Sequence, residues 1–194
     1  LPVDDPDAGV GVMARPSSNH VGPSRPRNRA RPVDARIHQL SRSRGGVPKR
    51  PVADVLVHWG GLDTDWQKNR RHHGGPDRAV CLYALERIEA LRAEGHPIMP
   101  GSVGENVTTV GLDWTRIVPG VRLRLGTTCV LEITSFTVPC RTIRHAFADG
   151  RSERIGEDQH PGWSRVYARV LAEGTVHTGD VIHLLDPAGY HVTG

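Results

Sequence analysis

The sequence predicts a mainly β domain with a few helices (α+β): a barrel-like sheet of largely antiparallel strands with one main helix near residues 78–94. Three observations carry that prediction. Beyond Gly104 the apolar period becomes two, in short runs each bounded by Gly, Pro or Asp. Glycine marks the corners between those runs, as small barrels and sandwiches require. A single stretch, residues 79–93, instead repeats apolar residues at three- and four-residue steps.

Residues 1–34 are rich in Pro, Gly, Arg, Asn and Ser and show no period. They cannot bury enough surface to offset the entropy of ordering, so a flexible basic tail is expected there and a domain over 35–188. ARIHQLSRS (35–43) offers Ile37 and Leu40 to a core from a short strand. GGVPKRPV (45–52) turns the chain, and ADVLVHWG (53–60) supplies a second strand. The polar residues 60–76 read as loop. Asp77, after Pro76, is the candidate N-cap of a helix whose stripe is Val80, Leu82, Leu85, Ile88 and Leu91, stopped by Gly95 and Pro97. NVTTVGL, VRLRLG, TCVLEITSF, YARVLAEG and DVIHLLD read as strands, with Cys129 on a core face. EGTVHTGD (173–180) reads as a tight turn and DGRSERIGEDQHPG (149–162) as a mobile loop over one end.

No apolar run approaches the roughly 20 residues that cross a bilayer. Residues 1–20 hold Asp4, Asp5 and Asp7 and lack an apolar core segment, so the expectation is a cytoplasmic protein with no membrane partner. The net charge of +4 rests on arginine, since Lys49 and Lys68 are the only lysines. Its one basic run, PSRPRNRARP (23–32), has no aromatic residue for base stacking, so no nucleic-acid partner is expected. Cys81, Cys129 and Cys140 cannot all pair, form no CxxC, and make no zinc quartet with the 11 histidines. Two lysines in loop-like stretches argue against a covalent pyridoxal phosphate enzyme.

Three segments could carry chemistry. In SFTVPCRT (135–142), Cys140 follows Pro139 where a strand ends, so its thiol can face a cleft. A thiolate is a soft metal ligand and a nucleophile, although the spacing equally suits a buried structural cysteine. In HGGPDRAV (73–80), Gly74 and Gly75 let backbone approach a ligand, and the amides of a helix starting near Asp77, with Arg78, would favour a phosphate. The same residues also make an ordinary Gly-Pro turn before a capped helix. In PGSVGENVTT (100–109), Glu105 and Asn106 follow Gly104 and could meet a heterocycle edge, or simply close a turn. His73, beside the first glycine turn, is a candidate acid or base, or a solvated histidine.

Together these stretches resemble the MOSC domain, the C-terminal domain type of molybdenum-cofactor sulfurases, in its small stand-alone bacterial form. The matching segments are SRGGVPKRPV (43–52), HGGPDRAVCLYALE (73–86), PGSVGENVTTVGLDW (100–114), RLRLG (122–126), VPC (138–140) and PGWSRVYARVLAEGTVHTGD (161–180), in the family's order. The resemblance implies a β-rich barrel-like fold that binds molybdenum cofactor. It implies Cys140 as molybdenum ligand or sulfur carrier. Gly74, Gly75, Asp77, Arg78, Gly104, Glu105, Asn106 and Arg141 would then hold the pterin, and His73 would donate a proton. Two activities follow as expectations: reduction of a small N-hydroxylated substrate with electrons from an external donor protein, or persulfide carriage in cofactor assembly. A non-catalytic carrier that meets a cofactor-delivery protein is the third.

Overall fold

The computed structural model describes residues 34–66 and 75–185. Among them are eleven strands: β1 (Arg36–Arg42), β2 (Arg50–Val52), β3 (Asp54–His58), β4 (Gly61–Leu62), β5 (Val80–Ala84), β6 (Val107–Val110), β7 (Arg122–Leu125), β8 (Cys129–Phe136), β9 (Val166–Ala172), β10 (Gly174–His177) and β11 (Ile182–Leu185). One α-helix, α1 (Leu85–Ala93), lies between β5 and β6. The large sheet runs β11-β7-β8-β9-β5-β6-β1-β2, and a small one runs β10-β3-β4. Every named pairing is antiparallel except β5 with β6, which the α1 crossover makes parallel.

The fold is thus mainly β, as the sequence predicts, but its large sheet does not close through a continuous ladder. A single bridge, from Arg36 of β1 (next to the β2 end) to Val181 just before β11, spans the gap, flanked by backbone bonds from Ile37 N–H to Asp180 O (2.9 Å) and from Gly179 N–H to Ile37 O (2.8 Å). Inside it lie the alternating faces of the strands, Ile37 and Leu40 of β1 and Leu123 and Leu125 of β7 among them, all essentially inaccessible. Cys129 belongs to this core.

Three elements differ from the sequence expectation. The stripe starting at Val80 is not helical at its beginning: Val80–Ala84 forms β5, buried at every position because sheet neighbours and core cover both faces. A continuous apolar run of five fits a buried strand as well as a helix face. The helix begins only at Leu85 and buries Ile88 and Leu91. Asp77 therefore caps no α-helix; Pro76–Arg78 is one 3-10 turn. Residues 174–177 form β10 against β3, and the tight turn is confined to the next residues, where Asp180 Oδ2 accepts the His177 amide (2.8 Å). The 149–162 segment carries a 3-10 turn, Ser152–Ile155, with Ser152 and Ile155 buried. The expected tail, apart from Asp34, and the end of the expected domain at 186–188 lie outside the described residues.

Candidate functional site

Beside β5 and β6 the sheet leaves a cavity of about 300 Å³. Its wall comes from the β1–β2 loop, the chain after β4, β5 itself, the 103–106 turn, the segment after β8 and the start of β9. That volume sits at the lower end of the range for small-ligand sites.

A buried carboxylate holds one side together. Asp65 accepts the Ser43 amide at 2.7 Å on Oδ1, and on Oδ2 the Asn106 amide at 2.8 Å and Lys49 Nζ at 2.5 Å. Both side chains of the ion pair are more than nine-tenths buried. Asn106 in turn accepts the Cys81 amide on Oδ1 (3.1 Å) and donates to Ser41 O (3.2 Å). One side chain thereby joins β1, β5 and the loop beyond β4. Burial without a hydrogen-bonded cation pushes the Cys81 thiol up to about 11, so this cavity-lining sulfur stays protonated at neutral pH.

The opposite side is organised around Tyr83 and Trp114, packed edge to face with centroids 6.1 Å apart. Tyr83 donates its hydroxyl to Trp163 O and Trp114 its ring N–H to Ser164 O, both at 3.0 Å. These bonds fix the segment that carries Arg165. Thr137 N–H donates to Arg165 O (2.9 Å), and Ser164 Oγ to Thr137 O (3.0 Å), so the chain leading to Cys140 is tied to the same segment. Arg165 is 5% exposed and lines the cavity. Its Nη1 donates to Val103 O, while its buried Nε has no partner among the described residues. A buried guanidinium left that way has donor capacity to spare.

Cys140 is half-buried and lines the cavity. Its backbone is extended, and its carbonyl accepts the Ile143 amide (3.2 Å), opening the 3-10 turn Arg141–Ala146. Gly104 lines the same cavity with φ +86°; a Cβ there would stand 3.0 Å from Val47 Cγ1. Asn106 lines it too, with both side-chain polar atoms engaged by protein. Glu105 turns away and is fully buried: Oε1 accepts the Gly101 amide at 2.6 Å. Gly75, Asp77, Arg78 and Arg141 are exposed. Asp77 pairs with Arg169 (3.4 Å), and Arg78 lies 5.8 Å over the ring of Tyr167, a cavity residue. His73 and Gly74 lie outside the described residues. Among those residues, no cluster of three or more His, Cys, Asp or Glu could hold a metal ion by itself.

Sequence reasoning overlooked Lys49, Asp65, Cys81 and Arg165. Arg165 did leave a trace, as the one charge between Trp163 and the apolar alternation of β9.

The MOSC domain family model matches residues 69–183, more than half of the chain. This chain belongs to the MOSC domain family. Over 142 residues it is 32% identical to the uncharacterized protein YflK of Bacillus subtilis, covering 72% of this chain and 63% of that one. It is 31% identical over 119 residues to a protein of Gibberella moniliformis named reductase, covering 59% of this chain but 21% of the other. The chain thus spans less than two thirds of these relatives' own length. Crystalline YiiM from Geobacillus stearothermophilus shares the fold, with a TM-score of 0.59 at 24% identity over 78% of this MOSC protein and 75% of YiiM. No helix among the described residues of this MOSC protein is long and apolar enough to cross a membrane.

Proposed function

We propose that the cavity of this MOSC protein holds molybdenum cofactor, with Cys140 as the metal ligand, and that the protein reduces small N-hydroxylated compounds. The observation that carries the reading is the pairing, in one cavity, of a half-buried thiol with the buried, partner-poor Arg165. These residues fit such a group. A thiolate is the ligand type a soft metal prefers. Arg165 supplies charge for the anionic part of the cofactor, whereas Lys49 is already compensated by Asp65. Gly104 leaves room that any side chain would fill. When bound, the cofactor would supply a metal-centred two-electron redox capacity. The electrons would come from an external donor protein.

The protein's own part is to bind and orient. Cys140 is presented from a backbone whose carbonyl accepts the Ile143 amide, which fixes where its side chain starts. Asp65, Lys49 and Asn106 keep the wall rigid without offering a competing free charge. The test is expression in cells able to make molybdenum cofactor, followed by metal analysis and assay with phenylhydroxylamine and reduced methyl viologen. The wild type is expected to carry molybdenum and form aniline, and Cys140→Ser to lose both. Retention of metal and turnover by Cys140→Ser sinks the proposal. A persulfide on Cys140 with no molybdenum bound would point to sulfur carriage instead.

A further inference from the structure

Reductive cleavage of an N–O bond consumes protons with its electrons: R–NH–OH + 2 e⁻ + 2 H⁺ gives R–NH₂ + H₂O. The groups around the cavity hold their protons tightly. Burial keeps the Cys81 thiol at about 11 and the Tyr167 phenol at about 12, and Lys49 is locked against Asp65. Neither the thiol nor the phenol gives up a proton readily near neutral pH.

Behind Gly104 lies a group of another kind. Glu105 is 0% exposed. Its Oε1 accepts the Gly101 amide (2.6 Å) and lies 3.4 Å from Thr108 Oγ1, while its Oε2 is buried with no partner among the described residues. Arg165 Nε, also buried and without a partner among the described residues, belongs to the side chain whose charge acts on Glu105. Two orphaned polar atoms of opposite kind behind a cavity wall mark a place for water or for an exchanging proton. The two influences on this carboxyl oppose each other. Loss of solvent favours the neutral acid, whereas the Gly101 amide and Arg165 favour the carboxylate. The other ionisable groups around Arg165 are Cys81 and Tyr83 on β5, Tyr167 on β9, Cys140 in the same cavity and the Lys49–Asp65 pair; burial keeps Cys81, Tyr83 and Tyr167 neutral and the pair compensates itself.

Resting on the reductase reading above, we propose that Glu105 is the proton reserve of this site, a buried carboxyl behind Gly104 that resupplies protons consumed in the cavity past Arg165. It touches no substrate and acts through the intervening space. Glu105→Gln keeps an acceptor for the Gly101 amide and tests this directly. Infrared spectra of the wild type at neutral pH are expected to show the carbonyl band of a protonated buried carboxylic acid. That band should move in D₂O and be missing from Glu105→Gln. With phenylhydroxylamine, Glu105→Gln is expected to lower kcat roughly a hundredfold, with KM and molybdenum content unchanged and the deficit narrowing as pH rises and the wild-type Glu105 ionises. A wild type without that band, or a variant matching its kcat at every pH, overturns the proposal. Wild-type protein that retains molybdenum yet forms no aniline overturns the reductase reading instead, and the infrared band then decides Glu105 alone.

Discussion

Asn106 shows how much of this site is set by one amide. Its side chain accepts from the Cys81 amide and donates to Ser41 O and to Asp65 Oδ2, so it is used up structurally before any ligand arrives. Asn106→Ala leaves the Cys81 N–H and a share of the Asp65 charge unsatisfied in a buried place. At about 1–3 kcal/mol per orphaned group, urea denaturation should show a loss on the order of 3 kcal/mol. Asn106→Asp is nearly isosteric but sets a second carboxylate 2.8 Å from Asp65 Oδ2, so it should be the worse of the two. An Asp variant as stable as the wild type would mean that Asp65 does not hold the network. From sequence, Asn106 stood out as a side chain that could meet a heterocycle edge or close a turn. Its partners, 25, 41 and 65 residues away, were invisible because hydrogen bonds across a sheet leave no local pattern.

Among the elements, legibility followed periodicity. The strands β1, β3, β7, β8, β9 and β11 announce themselves by alternation, since one face is more deeply buried than the other, whereas β6 is buried on both faces. β5 lacks that contrast, being buried on both faces, and merges with the helix that follows it. β10 was lost inside a Gly-bounded stretch of four residues whose only reason to be extended is its partner β3. The 149–162 segment looked mobile because it is polar, yet polar side chains fasten it. Arg154 makes two bonds to Glu94 of the α1 terminus (2.9 and 2.5 Å) and lies 3.8 Å over the Trp163 ring, while Arg87 covers that ring at 4.8 Å. Ser152 Oγ, 3.4 Å from Cys140 O, links this segment to the site. Arg154→Ala should therefore raise amide hydrogen exchange across 149–162 while leaving β8 and β9 protected, as read by mass spectrometry. Unchanged exchange there would show that Ser152 and Ile155 alone hold the segment.

At the scale of the whole molecule, the same burial that shapes the sheet makes it sensitive to alkali. Burial pushes Cys81 from 9.0 up to about 11 and Cys129 from 9.0 up to about 12, and raises the phenol of Tyr83 as well. A raised folded value means that the native state keeps its proton when the unfolded chain has released it. Stability is therefore complete below pH 9 for the thiols and falls as pH rises toward their folded values. The loss from Cys81 alone is on the order of 3 kcal/mol by pH 11, at about 1.4 kcal/mol per unit. Glu105 has the same sign lower on the scale: its stabilising contribution is full below 4.5 and is lost as pH rises through its raised folded value. The urea midpoint should accordingly fall steadily from pH 9 upward. Cys129→Ala opens a small core void and lowers the midpoint at neutral pH, yet it removes one of the two titrating thiols and should flatten the alkaline fall. Parallel curves for variant and wild type would show that ionisation of the buried sulfurs does not drive the loss.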